Sequence, residues 1–413
     1  MNSSFRFDFS SLPEESASLR ERVRAFIRRE REAGSLAGKA GAGINRHCPE
    51  FSRRCGEEGF IGMTWPAAYG GSERSFLERY VVTEELLAAG APVWAHWVAD
   101  RQSGPMLMRH ARQSVCKSIL PRIVRGECYF CIGMSEPDSG SDLYSARCRA
   151  SPAPGGWQVS GRKIWTSNAH RSHYMIALLR TSPSTPDNRR HGLTQFLVAM
   201  DSPGIELRPI PNLTGEADFN ELVFDDVFVP EEHLIGEVDG AWKQAASELA
   251  YERSGPERFL ETIFVLYEFV RIAGERPKDR VAEGIGRLVA ELFSLRAMSI
   301  SVAGMLGQGR VPDVEAAVVK EQGTNWEQAL PARVRDLAPL TGSGSPLRGG
   351  ADGVAGGYRD ADAAAAGFGV DPGARVDFEE ILRHATLIAP KLTIQGGTRE
   401  ILRGIVARGL GLR

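Results

Sequence analysis

Four stretches hold the side chains that could do chemistry. In GMSEPDSGSDLYS (133–145), Ser135 and Ser141 offer hydroxyls, and consecutive loop amides can bind a carbonyl or a phosphate. Gly140 there allows a close ligand approach or a positive φ. RKIWTSNA (162–169) sets Trp165 beside the hydroxyls of Thr166 and Ser167. LAYERSGPER (249–258) carries Glu252 on a helix, after Leu249, Ala250 and Tyr251. A carboxylate facing an apolar cavity has its pKa raised, which suits a general base near neutral pH. IQGGTREILRGIVARGLGLR (394–413) opens on a diglycine. Taken singly, the first three have plainer readings: a capping-rich turn, a core tryptophan, an exposed Glu252 paired with Arg253 or Arg258.

These stretches need scaffolding, and the hydrophobic pattern divides it into three zones. Residues 1–127 read as an N-terminal helical domain, on the apolar spacing of LRERVRAFIRRE and FLERYVVTEELLAAG. Within it, Trp65-Pro66 and Gly70-Gly71 demand a turn between helices. Residues 128–237 switch to period two, as in GGWQVSGRKIWTSNA, LTQFLVAMD and NELVFDDVFVP, which predicts an antiparallel sheet closed as a barrel or sandwich. Residues 238–413 return to helix. In 341–370, Gly and Ala fill 16 of 30 positions without period, which predicts a long surface loop carrying no catalytic group.

With 413 residues, 42% apolar and 25% charged, the chain is neither disordered nor fibrous. Fifty basic residues against 52 acidic ones, a net charge of −2, argue against a broad grip on nucleic acid or anionic membrane. No apolar run approaches the roughly 18 residues that span a bilayer. The N-terminus lacks a signal pattern, so the expectation is cytoplasmic. Six cysteines make no disulfide scaffold, and Cys128 and Cys131 lack the second ligand pair that zinc needs, so both read as core thiols and no metal is expected. His170 and His173 read as structural.

Together the four stretches resemble the acyl-CoA dehydrogenase family, from the W-P-x-x-Y-G-G turn at 65–71 to the C-terminus. GMSEPDSGSDLYS satisfies the family's first signature. The K-x-W-[IT]-[TS]-N strand stands as Lys163, Trp165, Thr166, Ser167 and Asn168, and the F-x-x-V-x-[VF]-P exit as Phe224 to Pro230. The closing G-G-T-x-E-I-x-R runs from Gly396 to Arg403. The resemblance implies an α+β multidomain fold: a helical domain, a middle antiparallel β-barrel and a C-terminal four-helix bundle. It also implies bound FAD, a homodimer or homotetramer, and an electron-transfer flavoprotein as acceptor.

The family removes the α-proton of an acyl-CoA with a carboxylate while flavin N5 takes the β-hydride, giving the trans-2-enoyl-CoA. Many members carry that carboxylate in E-G-T near the C-terminus, where this chain has Gly396. A second branch, with isovaleryl- and long-chain-type enzymes, carries it in an [LY]-E-R context, which Tyr251-Glu252-Arg253 matches. The resemblance therefore implies Glu252 as base, with Glu400 the rival. It further implies Met134, Ser135, Trp165, Thr166, Thr398, Arg399 and Glu400 at the cofactor, and Ser141, Arg253, Gly396 and Gly397 at the substrate. The R-x-x-F-G motif expected near 271–285 has no counterpart, and the Q-x-x-G-G-x-G-[FY] motif expected near 340–360 is at best partly echoed by GVAGGYRDAD within the Gly/Ala-rich segment. Alternatives on the same fold are an acyl-carrier-protein thioester as substrate, a flavin oxidase or monooxygenase, and a redox-silent partner subunit of a hetero-oligomer.

Overall fold

The computed structural model describes residues 6–36, 46–185, 187–241, 244, 253–341 and 378–412. It forms two compact units. The first gathers Met1–Arg46, Ser75–Val93 and Arg253–Arg413; the second, His47–Arg74 and Trp94–Glu252.

The second unit holds the sheet. Helices α2 (Pro49–Glu57), α4 (Trp94–Val98), α5 (Gly104–His110) and α6 (Gln113–Val124) belong to it; α1 (Ser16–Glu32) and α3 (Phe76–Ala88) belong to the first unit. The W-P-x-x-Y-G-G segment makes the expected turn. Gly70 has φ +87°, and a Cβ on Gly71 would lie 2.2 Å from the Trp65 carbonyl oxygen, so only glycine fits there.

Strands β1 (Phe130–Gly133), β2 (Arg149–Ala153), β3 (Gly156–Ser167), β4 (Tyr174–Arg180), β5 (Leu193–Ala199), β6 (Ile205–Ile210), β7 (Phe219–Pro230) and β8 (Leu234–Ile235) form one sheet, in the order β6-β7-β3-β2-β4-β5-β8. Val159, Leu222, Phe224 and Val227 from β3 and β7 share a core with Ala177, Leu179, Phe196 and Val198 from β4 and β5, so the sheet curls over its own inner face. The ladder is mainly antiparallel, as the alternation predicts. β1, however, runs parallel to β4, and β2 also meets β4 in parallel. Period two reports which face a side chain takes and is blind to strand direction.

Cys128 and Cys131 are buried in this unit, and burial pushes both thiols up to about 12. His173 Nδ1 accepts from the Tyr129 amide at 3.0 Å, and His170 Nδ1 lies 3.1 Å from Asn220 Oδ1, so both histidines are structurally engaged.

The first unit is helical. It adds α7 (Ile263–Ala273), α8 (Asp279–Gly307), α9 (Asp313–Leu337), α10 (Phe378–Ile388) and α11 (Arg399–Gly409) to α1 and α3. A reciprocal capping box starts α3: Ser75 Oγ accepts from the Glu78 amide at 3.1 Å, and Glu78 returns an oxygen to the Ser75 amide at 2.9 Å. Helix α9 packs against α7, α8, α10 and α11. By length and composition α8 could cross a bilayer, contrary to the count of apolar runs; it packs on α3 and α9 and ion-pairs Arg296 with Glu84. Residues 342–370 of the Gly/Ala-rich segment lie outside the described residues.

Candidate functional site

In the sheet unit, the signature stretch is a loop tied to β3 by one buried ion pair. Lys163, fully buried, places Nζ 2.7 Å from Glu136 Oε1 and donates to the Met134 carbonyl at 3.1 Å. Glu136, also buried, accepts from the backbone amides of Arg147 at 2.6 Å and Cys148 at 3.0 Å. One carboxylate thus closes both ends of the loop. The Met134 side chain packs on Ala146, Leu178, Leu193 and Ala241. Gly133 has no room for a Cβ, which would sit 2.4 Å from Met175 Sδ. Gly140 does not use the positive φ that glycine allows, and a Cβ there meets nothing within 4 Å, which leaves its backbone open to approach. Ser141 beside it is exposed.

The β3–β7 register slips between Lys163 and Thr166, which makes a bulge. The Ile164 amide turns from the ladder to the Ser135 carbonyl at 2.9 Å. Trp165 takes φ +59°, rare for a bulky residue, and stands 57% exposed with its ring edge-on to Phe219 at 6.0 Å. Thr166 points the other way; its hydroxyl is buried and has no hydrogen-bond partner.

In the helical unit, Arg253 is buried and its Nε donates to the Gly396 carbonyl at 2.9 Å. Gly396 and Gly397 are both left-handed, at φ +67° and +108°. Thr398 then caps α11, its hydroxyl accepting from the Ile401 amide at 3.5 Å. Glu400, in the first turn, is exposed, and its own amide, the Thr398 hydroxyl and nearby arginines hold its carboxyl below the usual range. Arg399 and Arg403 both reach Glu321 of α9, at 3.5 and 3.0 Å.

Helix α9 holds this assembly through side chains on one buried face. Lys320 Nζ and Thr324 Oγ1 donate to the Leu392 carbonyl at 3.2 and 3.4 Å. Glu327 accepts from the Thr262 amide at 3.1 Å. A Cβ on Gly323 would lie 2.2 Å from the Arg258 carbonyl oxygen, so the 256–258 turn rests directly on the helix. Lys391 pairs with Glu261 at 2.9 Å.

Comparison with known proteins decides what this assembly is. The acyl-CoA dehydrogenase N-terminal domain model matches residues 13–127, and the middle domain model residues 131–227. The acyl-CoA dehydrogenase IpdE1 of Mycobacterium tuberculosis is 30% identical over 92% of this chain and 93% of its own. The chain belongs to the acyl-CoA dehydrogenase family. The acyl-CoA dehydrogenase FadE34 of the same organism is 34% identical over 68% of this chain, which spans 40% of FadE34's length. Among solved structures, the Tcur3481-Tcur3483 steroid ACAD superposes with a TM-score of 0.78 at 25% identity, covering 98% of each chain.

Acyl-CoA dehydrogenases are FAD-dependent oxidoreductases acting on acyl-CoA thioesters. The β unit fits a flavin on one count independent of the family: Thr166 keeps a buried hydroxyl unsatisfied, beside a tryptophan that a strained bulge turns outward. That hydroxyl is one of several buried side-chain polar atoms without a partner among the described residues, and the one that lies next to the outward-turned Trp165. Of the residues assigned from the sequence, Met134, Ser135, Trp165 and Thr166 come together in the β unit. Arg253, Gly396, Gly397, Thr398, Arg399 and Glu400 come together in the helical unit. Tyr251 and Glu252 lie outside the described residues. The acyl-CoA dehydrogenase motifs gave no role to Glu136, Lys163, Lys320, Thr324 or Glu327. A lysine at an inward position of a period-two strand was the available signal for Lys163.

Proposed function

We propose that the protein oxidises an acyl-CoA to the trans-2-enoyl-CoA, with non-covalent FAD as cofactor and Glu252 as base. The observation that carries the base assignment is the Arg253–Gly396 bond. Arg253 directly follows Glu252 in the chain, and it binds the residue standing where the other branch of the family keeps its Glu. One base position thus precedes Arg253 directly in the chain, and the vacated one, Gly396, is the residue Arg253 binds. Glu400 is exposed in the first turn of α11, away from any apolar cavity that would raise its carboxyl toward neutrality, which disfavours the rival.

In this reading Glu252 takes the α-proton of the thioester. The Gly396 amide donates to the thioester oxygen, where negative charge builds as that proton leaves. Arg253 fixes the diglycine that carries the donor. When bound, FAD supplies the hydride acceptor, N5. The Trp165–Thr166 segment would border the ring, with the outward Trp165 side chain screening it from water. Electron-transfer flavoprotein is the acceptor we expect, and a homodimer or homotetramer the assembly.

A second reading keeps the fold and makes this chain one member of a two-component enzyme. It draws on the missing R-x-x-F-G motif near 271–285, where Arg271 instead pairs with the buried Glu268. The Tcur3481-Tcur3483 steroid ACAD and the ChsE4-ChsE5 complex from Mycobacterium tuberculosis, two of the similar structures, are two-component assemblies.

The deciding experiment is anaerobic titration of the FAD-loaded protein with acyl-CoAs, from short straight chains to one bearing steroid rings. Bleaching of the flavin band by one of them, without oxygen uptake in air, supports the dehydrogenase. Rapid oxygen uptake would make it an oxidase. A protein that takes up no FAD, alone or on loading, would sink the first reading in favour of the second.

A further inference from the structure

We infer that Lys163, through its buried pair with Glu136, is the positioning residue that holds the signature loop and the Trp165 bulge in the one arrangement that binds FAD. This rests on reading the β unit as the flavin site.

Three observations meet at this pair. First, the Glu136 carboxylate takes three donors: Lys163 Nζ at 2.7 Å and the amides of Arg147 and Cys148 at 2.6 and 3.0 Å. It therefore references the far end of the loop to β3. Second, Lys163 Nζ also donates to the Met134 carbonyl at 3.1 Å, which references the near end to the same atom. Third, the bulge begins at Lys163. The Ile164 amide leaves the β3–β7 ladder for the Ser135 carbonyl at 2.9 Å, and Trp165 follows at φ +59°.

A left-handed tryptophan persists only where its surroundings over-determine it. Here two successive bonds from β3 to the loop, Lys163 to Met134 and Ile164 to Ser135, do so. The four residues expected at the flavin ring, Met134, Ser135, Trp165 and Thr166, therefore share one fastening. Lys163 is fully buried and touches the ring in no part of this scheme. It acts by fixing the backbone that does.

A buried charge left without its partner destabilises a fold, whereas removing both partners together is often neutral. That difference separates a positioning role from a merely structural one. Lys163→Met alone strands Glu136 and is expected to lower the melting temperature of the FAD-free protein. The double variant Lys163→Met with Glu136→Gln strands no charge and is expected to recover most of that melting temperature. It still lacks the ammonium that holds the Met134 carbonyl. FAD is therefore expected to bind it at least about tenfold more weakly than the unaltered protein, with a changed visible band shape.

FAD dissociation constants from flavin fluorescence quenching, beside melting curves of the FAD-free protein, read both effects. A double variant that recovers its stability and binds FAD within twofold, with an unchanged spectrum, would overturn the inference. So would a double variant that fails to fold, since the pair would then be a requirement of the fold itself. If the unaltered protein takes up no FAD, it is the flavin reading that fails.

Discussion

Arg253 and Gly396 stand 143 residues apart in the chain and meet at 2.9 Å, guanidinium to carbonyl. The bond joins the segment after the β domain to the diglycine before α11, and a Cβ on Gly397 would lie 3.4 Å from Arg253 Nη2. Lysine offers a point charge in place of a rigid fork and cannot reproduce this geometry. We therefore predict that Arg253→Lys keeps FAD but binds acyl-CoA at least about tenfold more weakly, the scale of a lost hydrogen bond to a charged group. Isothermal titration with a non-reactive CoA thioester measures it. Unchanged affinity alongside a lowered melting temperature would reduce Arg253 to a packing role.

Thr166 gives a prediction with two opposite signs. Its hydroxyl is buried and unsatisfied. Valine at that position removes an unpaired polar group, so Thr166→Val should stabilise the FAD-free protein by roughly 1 kcal/mol. On the proposed flavin site the same change removes a hydroxyl offered to the cofactor, so FAD affinity should fall roughly three- to tenfold. Urea unfolding and flavin fluorescence read the two quantities. Movement of both in the same direction would mean that the hydroxyl has a protein partner and no part in FAD binding.

What the sequence made legible, and what it hid, follows from the range of each interaction. The loop 133–145, the Trp165-Thr166 strand and the Gly396–Glu400 turn are local patterns, and the structure gathers their residues within each unit. Lys320, Thr324 and Glu327 escaped notice because a lysine and a glutamate on a helix ordinarily read as solvated. Their burial depends on α10, α11 and the 256–262 turn, which are distant in sequence. The left-handed Trp165 was equally invisible, since a bulge is one residue of slip against a partner strand whose flanking partners, Asn220 and Leu222, lie far along the chain. At Gly140 the sequence left two readings open, and the structure removes one of them, the positive φ.

Glu327 should make stability depend on pH. Burial first, then the Glu261 carboxylate, hold its pKa well above the usual range, with the Thr262 amide and Arg258 acting the other way. The unfolded group titrates near about 4.3. Below that pH both states are protonated and Glu327 costs nothing. As pH rises above it, the unfolded chain ionises while the folded one resists, so stability is lost until the folded pKa is passed. Glu327→Gln keeps an oxygen for the Thr262 amide and cannot ionise. It should be more stable than the unaltered protein at pH 7.5 and gain nothing at pH 4. Denaturant midpoints across that range test this, and parallel pH profiles for the two proteins would refute it.

The proposed mechanism turns on Glu252. A positioned general base contributes roughly 10²–10⁴-fold in rate. Glu252→Gln preserves size and hydrogen bonding but cannot accept the α-proton. We predict that it keeps FAD and acyl-CoA binding while anaerobic single-turnover reduction slows by about that factor. Moving the carboxylate with Glu252→Gly and Gly396→Glu should restore part of the rate. Gly396 sits at φ +67°, however, and a side chain in the left-handed region costs roughly 1–2 kcal/mol, so the rescued enzyme should melt earlier. Near-normal reduction in Glu252→Gln would remove the assignment. Glu400→Gln, at the exposed start of α11, would then be the variant to make.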